Sequence, residues 1–370
     1  MLPNCNLLTS VLSDPRSVLS LELKEWDLVI RQARRAGILS RLAVDLGEDV
    51  IEELPKGPAC HLESSMLFYR AQTRGVSWEV RKVAEALNKI NLPVILLKGA
   101  AYSIAGLPSS RGRLFNDFDI LVPKSKLDSV EKILNFHGWF STVEDEYDQR
   151  YYREWMHELP PLRHLTRRSV LDVHHTILPE TSRLRPDPNK LIDSAQSVAG
   201  FENIFVLKDV DMVLHSAAHL FHDGELENGF RDLIDLDTLF RHFSTRQEFW
   251  GELVGRAVEM NLERPLYFAL RYTQKVLNTP IPGKVIETSL NIGGTGKISS
   301  KLMDALFLRA LLPDHSSCND TFTPIARWLL YVRSHYLRMP PYLLIPHLIR
   351  KSLKKHNDAV TKDNVELENQ

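Results

Sequence analysis

Apolar residues recur three or four positions apart over the first part of the chain, as Trp26, Ile30 and Ala33 illustrate. Side chains at this spacing line one face of an α-helix, so the pattern predicts helices that each bury one side. A proline-containing break at residues 55–58 divides the pattern into two helical runs. We therefore expect a helical N-terminal subdomain over residues 1–73.

Short continuous apolar runs replace the helical pattern in the middle of the chain. One run, residues 94–97, follows Pro93, and another, residues 118–122, precedes Pro123. A short apolar run bounded by proline or glycine is typical of a buried strand. Helical spacing flanks these two strands, and it predicts helices at residues 78–90, 100–105 and 124–137.

Two further strands are expected at residues 162–165 and 169–177, with residues 166–168 as the turn of a hairpin. Residues 143–158 are polar and aromatic and show no clear pattern. Together with the preceding elements, the hairpin indicates an α/β domain over residues 74–183.

Helical spacing returns beyond residue 208 and continues almost to the end of the chain. Residues 184–205 are interpreted as a linker plus a helix, and residues 356–370 are polar and charged, which is typical of a disordered tail. We expect a helical C-terminal domain over residues 184–355. Its predicted helices are residues 211–221, 230–243, 247–260, 263–277, 300–311, 324–335 and 342–355.

Composition narrows the class of protein. With 370 residues, 44% hydrophobic and 25% charged, the chain resembles an ordinary globular protein of two or three domains. A net charge of −1 gives no global electrostatic reason to expect a long nucleic acid as partner. Cys5, Cys60 and Cys318 are far apart, which favours a reducing compartment over a disulfide framework. No signal peptide and no transmembrane segment is apparent, so we expect a cytoplasmic protein.

Two aspartates stand one residue apart at the start of the second predicted strand. Because side chains alternate along a strand, Asp117 and Asp119 point the same way. Paired carboxylates repel each other unless a cation lies between them, and Mg²⁺ commonly joins carboxylates to substrate phosphates. The upstream turn at Gly99 could present backbone N–H groups to a phosphate. The pattern therefore indicates a Mg²⁺–nucleotide site.

The hairpin supplies the third carboxylate that such a site needs. Alternation along residues 170–175 places Asp172 and His174 on one face and His175 on the other. Neighbouring strands are about 4.8 Å apart, so carboxylates on two of them can converge on the same ions. His174 could bind metal, orient a carboxylate or contact an acceptor, and a purely structural role is the alternative. We interpret His175 as structural.

Basic residues near the predicted turn could neutralise a triphosphate. Lys98 precedes Gly99, and Arg113 stands four residues before Asp117, with Arg111 as a weaker candidate. The planar guanidinium of arginine pairs with phosphate oxygens in a fork. A solvent-exposed Lys98 at the end of the strand is the alternative.

Other polar residues could line the acceptor side of the site. His157 and His164 flank a Pro-Pro pair, and His219 lies between His215 and His222 at i, i+4 and i+7. That spacing can hold a transition metal, but packing or lining of an acceptor pocket is the preferred interpretation.

Asp235 stands in an apolar stripe of a predicted helix and could face the cleft. A buried ion pair with Arg231 is the alternative. Near the end of the chain, residues 327–355 mix aromatic and basic side chains, which suits either a solvated helix face or contact with an anionic lipid or a partner.

Four blocks in the right order carry a family resemblance: residues 96–101, the segment from Arg113 to Val122, residues 157–162 and residues 171–174. Together they resemble the uncharacterised bacterial branch of the nucleotidyltransferase superfamily with a DNA-polymerase-β type of palm. The resemblance extends from near Trp26 to Asp235. It implies an α+β fold, in which a small mixed sheet with flanking helices forms a catalytic domain over residues 74–183.

The resemblance also implies roles for individual residues. Asp117 and Asp119 would be the primary metal ligands, and Asp172 would bind the second metal and help activate the acceptor hydroxyl. Gly99 and Ala100 would form the turn that approaches the triphosphate. The superfamily usually has serine or glycine where this chain has Ala100, so the serine hydroxyl contact to phosphate is missing and Lys98 or Arg113 would supply charge instead.

These observations predict a Mg²⁺-dependent (or Mn²⁺-dependent) nucleotidyltransferase. It would move a nucleoside monophosphate from an NTP to an acceptor hydroxyl and release pyrophosphate. The acceptor could be a sugar, an antibiotic-like small molecule, a lipid head group or a protein hydroxyl. One alternative is a catalytically degenerate nucleotide-binding or scaffolding protein of the same fold. Another is a metal-dependent phosphodiesterase, which would need more histidines near Asp119 than the sequence pattern places there.

Overall fold

A computed structural model describes residues 6–346, apart from residues 116 and 225 and the side chains of residues 6 and 223. Within these residues, α-helices surround one mixed sheet of seven strands. This architecture confirms the expected α+β class. None of the described helices combines the length and the apolar character that crossing a bilayer requires.

The N-terminal segment is helical, as its apolar spacing predicts. The side chains that produced the pattern, Trp26, Ile30 and Ala33, are buried in the apolar core. Glu22 and Glu25 form a capping box that satisfies backbone N–H groups at the start of the second helix. The four helices are α1 (Asn6–Ser13), α2 (Leu23–Arg35), α3 (Leu39–Glu52) and α4 (Lys56–Asn88).

One helix, α4, joins the helical run predicted after residues 55–58 to the helix predicted at residues 78–90. The chain leaves the helical conformation only briefly between α3 and α4. Pro58 does not interrupt α4, because it stands in the first turn, where proline is tolerated. Gly75 lies inside the helix without interrupting it. The proposed boundary after residue 73 therefore falls within a continuous helix, and the division into domains stays a prediction.

The sheet has the strand order β3-β4-β5-β2-β1-β7-β6. Its centre is mixed, because β2 runs antiparallel to β1 and parallel to β5. The predicted hairpin is confirmed as the antiparallel pair β4 and β5. The strands are β1 (Val94–Leu97), β2 (Asp117–Leu121), β3 (Trp139–Ser141), β4 (Leu162–His164), β5 (Val170–His174), β6 (Gln196–Ser197) and β7 (Ile204–Val206).

Residues 184–205 differ from the expected linker plus helix. They contain the short helix α8 (Pro188–Asp193), but also β6 and the start of β7, which pairs in parallel with β1. A strand of three residues is too short for alternation to reveal it, and its partner is about a hundred residues away in the chain. Helix α7 (Glu146–Trp155) was also missed, since none of its residues is buried.

Helices pack around the sheet and fill the C-terminal half. Their bounds agree with the predicted segments, except that α13 was not predicted. Residues 347–370, which include most of the predicted helix 342–355 and the expected disordered tail, lie outside the described residues. The helices are α5 (Lys98–Ile104), α6 (Leu127–Phe136), α9 (Asp209–Ala218), α10 (Gly229–Phe243), α11 (Phe249–Glu259), α12 (Glu263–Leu277), α13 (Gly283–Gly293), α14 (Lys297–Ala310) and α15 (Thr323–Arg338).

A single apolar cluster connects the three parts of the chain, from Leu8 and Trp26 through the sheet to Leu330 on α15. The expectation of reduced cysteines holds for Cys60, which is free, but Cys318 is disulfide-bonded. Because this core is continuous, the sheet packs directly against the C-terminal helices, and the candidate site lies where the two meet.

Candidate functional site

Strands β2 and β5 bring the three predicted aspartates to one face of the sheet. The strands pair in parallel, with Asp119 directly opposite Asp172 and Asp117 opposite Val170. Partners in such a pair point to the same side, and positions two apart on a strand also share a side. Asp117, Asp119 and Asp172 therefore project from adjacent positions, and His174 follows on the same face.

The environment shifts the pKa values of the three carboxyls in different directions. Burial and the Asp119 carboxylate raise the pKa of Asp117. Burial alone would raise the pKa of Asp119, but Lys98 and a hydrogen bond from His174 outweigh it and lower that pKa. Burial, with the carboxylates of Asp119 and Glu158, raises the pKa of Asp172 to about 8. Like charges are thus crowded at Asp172, where a cation would relieve the repulsion.

His174 lies between two carboxylates. Its Nε2 is 3.1 Å from Asp119 Oδ1 and 3.3 Å from Glu158 Oε2. Burial would lower the pKa of His174, but Glu158 and the hydrogen bond to Asp119 raise it above the ordinary value. The two carboxylates therefore favour the charged imidazole, and its Nε2 is within hydrogen-bond distance of the Asp119 carboxylate.

Glu158 reaches this cluster through an antiparallel bridge between its backbone and that of His174. The ring of His157 lies 5.1 Å from that of His174, measured between centroids. Burial and the positive potential of His174 and Lys98 hold the pKa of His157 well below its usual range. Sequence reasoning selected His157 but not Glu158, although the two are adjacent in one of the blocks that carry the resemblance.

The residues present fit a divalent cation. Asp172 Oδ1 is buried and has no hydrogen-bond partner in the described structure, although carboxylate oxygens in proteins are normally satisfied. Oxygen-rich clusters of this kind suit Mg²⁺ or Mn²⁺. Separately, His157, Glu158 and His174 have ligand atoms that all lie within 4.8 Å of one another.

Lys98 begins helix α5 where β1 ends, and Leu97 of β1 pairs with Asp119. Its backbone has a positive φ of 43°, an uncommon conformation for a residue with a side chain. Lys98 lines the cavity above the aspartates, and its charge helps to lower the pKa of Asp119. Strained backbone of this kind often marks functional positions.

Arg113 has carboxylate partners in the structure. Its Nε donates to Asp235 Oδ2 at 2.5 Å, and its Nη2 is 3.8 Å from Asp232 Oδ1. Burial alone would lower the pKa of Arg113, but Asp235 and Asp232 raise it above its ordinary value. The alternative partner considered for Asp235, Arg231, pairs instead with Asp232 at 3.0 Å.

Gly99 packs against Arg113. A methyl group at Gly99 would overlap Arg113 Nη1 and crowd the ring of Phe115. Glycine is therefore needed at this position so that the Arg113 guanidinium can lie against the backbone, whether or not a phosphate binds at the turn. Ala100 lies in the apolar core, so its methyl group contributes to packing.

A cavity of about 260 Å³ collects most of the predicted site residues. Its lining also includes Glu158, Asp232, Tyr102 and Arg231, which the sequence did not single out for the site. The predicted residues that line it are Lys98, Gly99, Arg113, Asp117, Asp119, His157, Asp172, His174, His219 and Asp235.

Of the other histidines, His215 interacts electrostatically with Lys98, His219 and His174, so it lies close to the site. His222 has other partners and lies in the π-helical turn, residues His219–Asp223, that follows the end of α9 at Ala218. His222 bonds to Ser182 at 2.7 Å, and His164 contacts Arg167 and Trp139. His175, directly after the end of β5, is buried, and its structural role stays a prediction.

Comparison with protein families identifies a match over residues 22–278 to a family described as uncharacterised nucleotidyltransferase. The match covers more than half of the chain and contains every element of the sheet. A comparison with curated proteins finds no match.

Proposed function

The chain belongs to this nucleotidyltransferase family, and we propose that it moves a nucleoside monophosphate from an NTP to an acceptor hydroxyl in a Mg²⁺-dependent reaction that releases pyrophosphate. The observation that carries the proposal is the placement of Asp117, Asp119 and Asp172 on one face of two paired strands, beside Lys98. Three converging carboxylates and one cation suit a metal-bound triphosphate better than a neutral ligand.

Asp117, Asp119 and Asp172 would hold the divalent cations, Mg²⁺ or Mn²⁺. When bound there, such ions supply positive charge that offsets the charge of the phosphates and of the reacting oxygens. The unpartnered Oδ1 of Asp172 and the raised pKa of its carboxyl support this assignment, since both reflect carboxylates crowded without a counter-charge.

The protein side chains would orient the substrates and move one proton. The acceptor oxygen forms a bond to the α-phosphorus, the bond from that phosphorus to the pyrophosphate oxygen breaks, and the hydroxyl proton passes to a base. Asp172 would accept this proton, because a bound cation would keep its carboxyl ionised. Lys98 would contact the triphosphate, which leaves its charge close to the leaving pyrophosphate.

The acceptor would enter from the side formed by the C-terminal helices. His219 and Asp235 line the cavity from the π-helical turn and from α10, and His157 and His174 line it from the sheet side. Arg113 is paired with Asp235, so we assign it to holding this wall in place. Arg113 could contact a nucleotide phosphate only if its guanidinium bound the phosphate and Asp235 at the same time.

A labelling experiment tests the proposal. The purified chain is incubated with α-labelled NTPs, Mg²⁺ and a cell extract, and labelled products and released pyrophosphate are measured. We expect Asp119→Asn and Asp172→Asn to lower the rate by at least about a hundredfold, because each removes charge from the reacting centre. The matched control is Asp128→Asn, an identical change at an exposed position on α6.

The outcomes separate the hypotheses. Equal rates for Asp119→Asn and the wild type would contradict the proposal. Mg²⁺-dependent NTP binding without turnover would instead support a degenerate nucleotide-binding protein. Label found only on the chain itself would identify self-modification, with a protein hydroxyl as the acceptor.

A phosphodiesterase is the second candidate, because the structure brings His157 and Glu158 close to His174, beside Asp119. His157, Glu158 and His174 form a possible metal-binding group beside Asp119. The test is hydrolysis of bis(p-nitrophenyl) phosphate with Mn²⁺ and without NTP. Hydrolysis that His157→Ala abolishes would favour this candidate over nucleotidyl transfer.

A further inference from the structure

A second cavity, of about 290 Å³, lies among the C-terminal helices. It shares no lining residue with the cavity of the candidate site. Its walls come from α12, α13, α15, the loop at Arg183 and the π-helical turn. That turn separates the two cavities, since His219 lines the first and Phe221 and His222 line the second.

The second cavity is lined by three arginines, Arg183, Arg264 and Arg333, and by a single carboxylate, Glu263. Within the described residues, none of the three arginines has a carboxylate oxygen within ion-pair distance. Arg183 and Arg264 are exposed, whereas Arg333 is half-buried, and several other half-buried arginines of the helical region do have such partners. Examples are Arg256 with Asp211 and Arg271 with Asp304.

Arg333 shows how the cationic lining is held. Its Nη1 donates to the backbone carbonyl of Phe221 at 2.8 Å. Its guanidinium carbon lies 5.5 Å from the ring centroid of Phe268 and 5.7 Å from that of Phe307. Aromatic faces and one carbonyl orient the group, but they leave most of its five N–H donors available to a ligand.

Positive charge exceeds negative charge in this cavity, since three arginines and one carboxylate line it. Burial and the nearby Arg264 lower the pKa of Arg333 to about 10, so the group stays charged at neutral pH despite the repulsion. Burial, with the charges of Arg333 and Arg338, lowers the pKa of His222 to about 4, so this imidazole is neutral and adds no charge. The first turn of α12, which contains Arg264, adds the positive end of a helix dipole.

We propose that this second cavity binds the phosphate group of a small phosphate monoester, with the apolar part of the ligand packed on Ile292, which is 42% exposed, and on Leu337. Arginine forks match phosphate oxygens in pairs, which a dianion between Arg264 and Arg333 would satisfy. The apolar lining favours an ester over inorganic phosphate, and the volume is that of a small ligand site.

Phenyl phosphate is the probe, because it joins a phosphate dianion to an aromatic ring. Its binding to the full chain is measured by calorimetry in EDTA at low ionic strength, beside inorganic phosphate and benzyl alcohol. We expect phenyl phosphate to bind more tightly than inorganic phosphate and benzyl alcohol not to bind. If benzyl alcohol bound as tightly as phenyl phosphate, the proposal would be overturned.

Variants locate the binding. Arg264→Ala and Arg183→Ala remove exposed arginines whose loss leaves the core intact, and each is expected to weaken binding about tenfold or more. Arg185→Ala is the matched control, since Arg185 is exposed and only two residues from Arg183. Lys98→Ala tests binding at the candidate site. Weakening by Lys98→Ala or Arg185→Ala but not by Arg264→Ala would refute the proposal, as would the absence of binding.

Discussion

The Asp172→Asn variant tests whether the carboxylate cluster destabilises the fold when no cation is bound. Asp172 is opposite Asp119 in the sheet, and its Oδ1 has no hydrogen-bond partner within the described residues. Asparagine has nearly the same shape and carries no charge. We expect the variant to be more stable than the wild type in EDTA, although it should lose nucleotidyl transfer.

The magnitude follows from proton linkage. The pKa of Asp172 is about 8 in the folded chain and 3.8 in the reference state. As pH rises from 4 to 8, the unfolded chain gains stability by ionising while the folded chain keeps the proton, so the free energy of unfolding falls. The loss is about 1.4 kcal/mol for each pH unit, hence about 4 kcal/mol at pH 7 as a ceiling. Asparagine has no carboxyl group to titrate, so the Asp172→Asn variant does not undergo this loss of stability.

The assay is urea unfolding in EDTA at pH 5 and pH 8. The gain from Asp172→Asn should be small at pH 5 and reach a few kcal/mol at pH 8. Asp304→Asn is the control with opposite sign. Burial raises the pKa of Asp304, but hydrogen bonds from Arg271 and Lys275 lower it to about 2. Its replacement should destabilise the protein by roughly 1 kcal/mol at neutral pH.

Two results would refute this reasoning. One is an Asp172→Asn variant that is no more stable than the wild type at pH 8. The other is a gain that does not change between pH 5 and pH 8, since only a titrating carboxyl produces the dependence. Mg²⁺ should also stabilise the wild type more than the variant, because ligands that bind the folded state raise its stability.

Two further substitutions test the support of the site, with urea unfolding as the measurement. Gly99→Ala should destabilise by about 1–3 kcal/mol, because the methyl group overlaps Arg113. Gly251→Ala on α11, with open space around it, should be neutral or stabilising, and equal effects would contradict the argument. Asp235→Asn should cost about 3–5 kcal/mol by leaving Arg113 buried without its partner. An Arg113→Met/Asp235→Leu double variant that is no more stable than Asp235→Asn would contradict that explanation.

The shared face of Asp117 and Asp119 could be anticipated from the sequence because that geometry is local, whereas the parallel pairing of β2 with β5, which brings Asp172 opposite Asp119, is long-range. Alternation along a strand settles which side chains share a face, and a short connection, residues 165–169, joins the paired strands β4 and β5. Residues 118–122 were predicted as the strand that β2 forms, and Asp172 lies on the strand beside it. The shared faces and the position of β2 were both inferred from patterns only a few residues long. Such patterns are present because one face of the sheet is buried.

The long-range contacts of the site could not be anticipated in this way. Arg113 and Asp235 are 122 residues apart in the chain, and no local pattern indicates that the guanidinium of one meets the carboxylate of the other. Glu158 reaches His174 by an isolated bridge outside the regular strands. The π-helical turn also contains His222, which lines the second cavity, whereas regular helical spacing would have aligned it with His215 and His219.

The positions of the two cavities along the chain bear on what each represents. Every residue that lines the candidate site, except Arg338, lies within residues 22–278, the range that matches the nucleotidyltransferase family. The second cavity instead draws Ile292, Gly293, Arg333 and Leu337 from beyond that range. The proposed nucleotidyl-transfer site is therefore built from family sequence, whereas the proposed phosphate monoester site depends on helices that the family match does not include. Loss of phenyl phosphate binding should consequently leave the aspartate cluster intact, and the two proposals can fail independently.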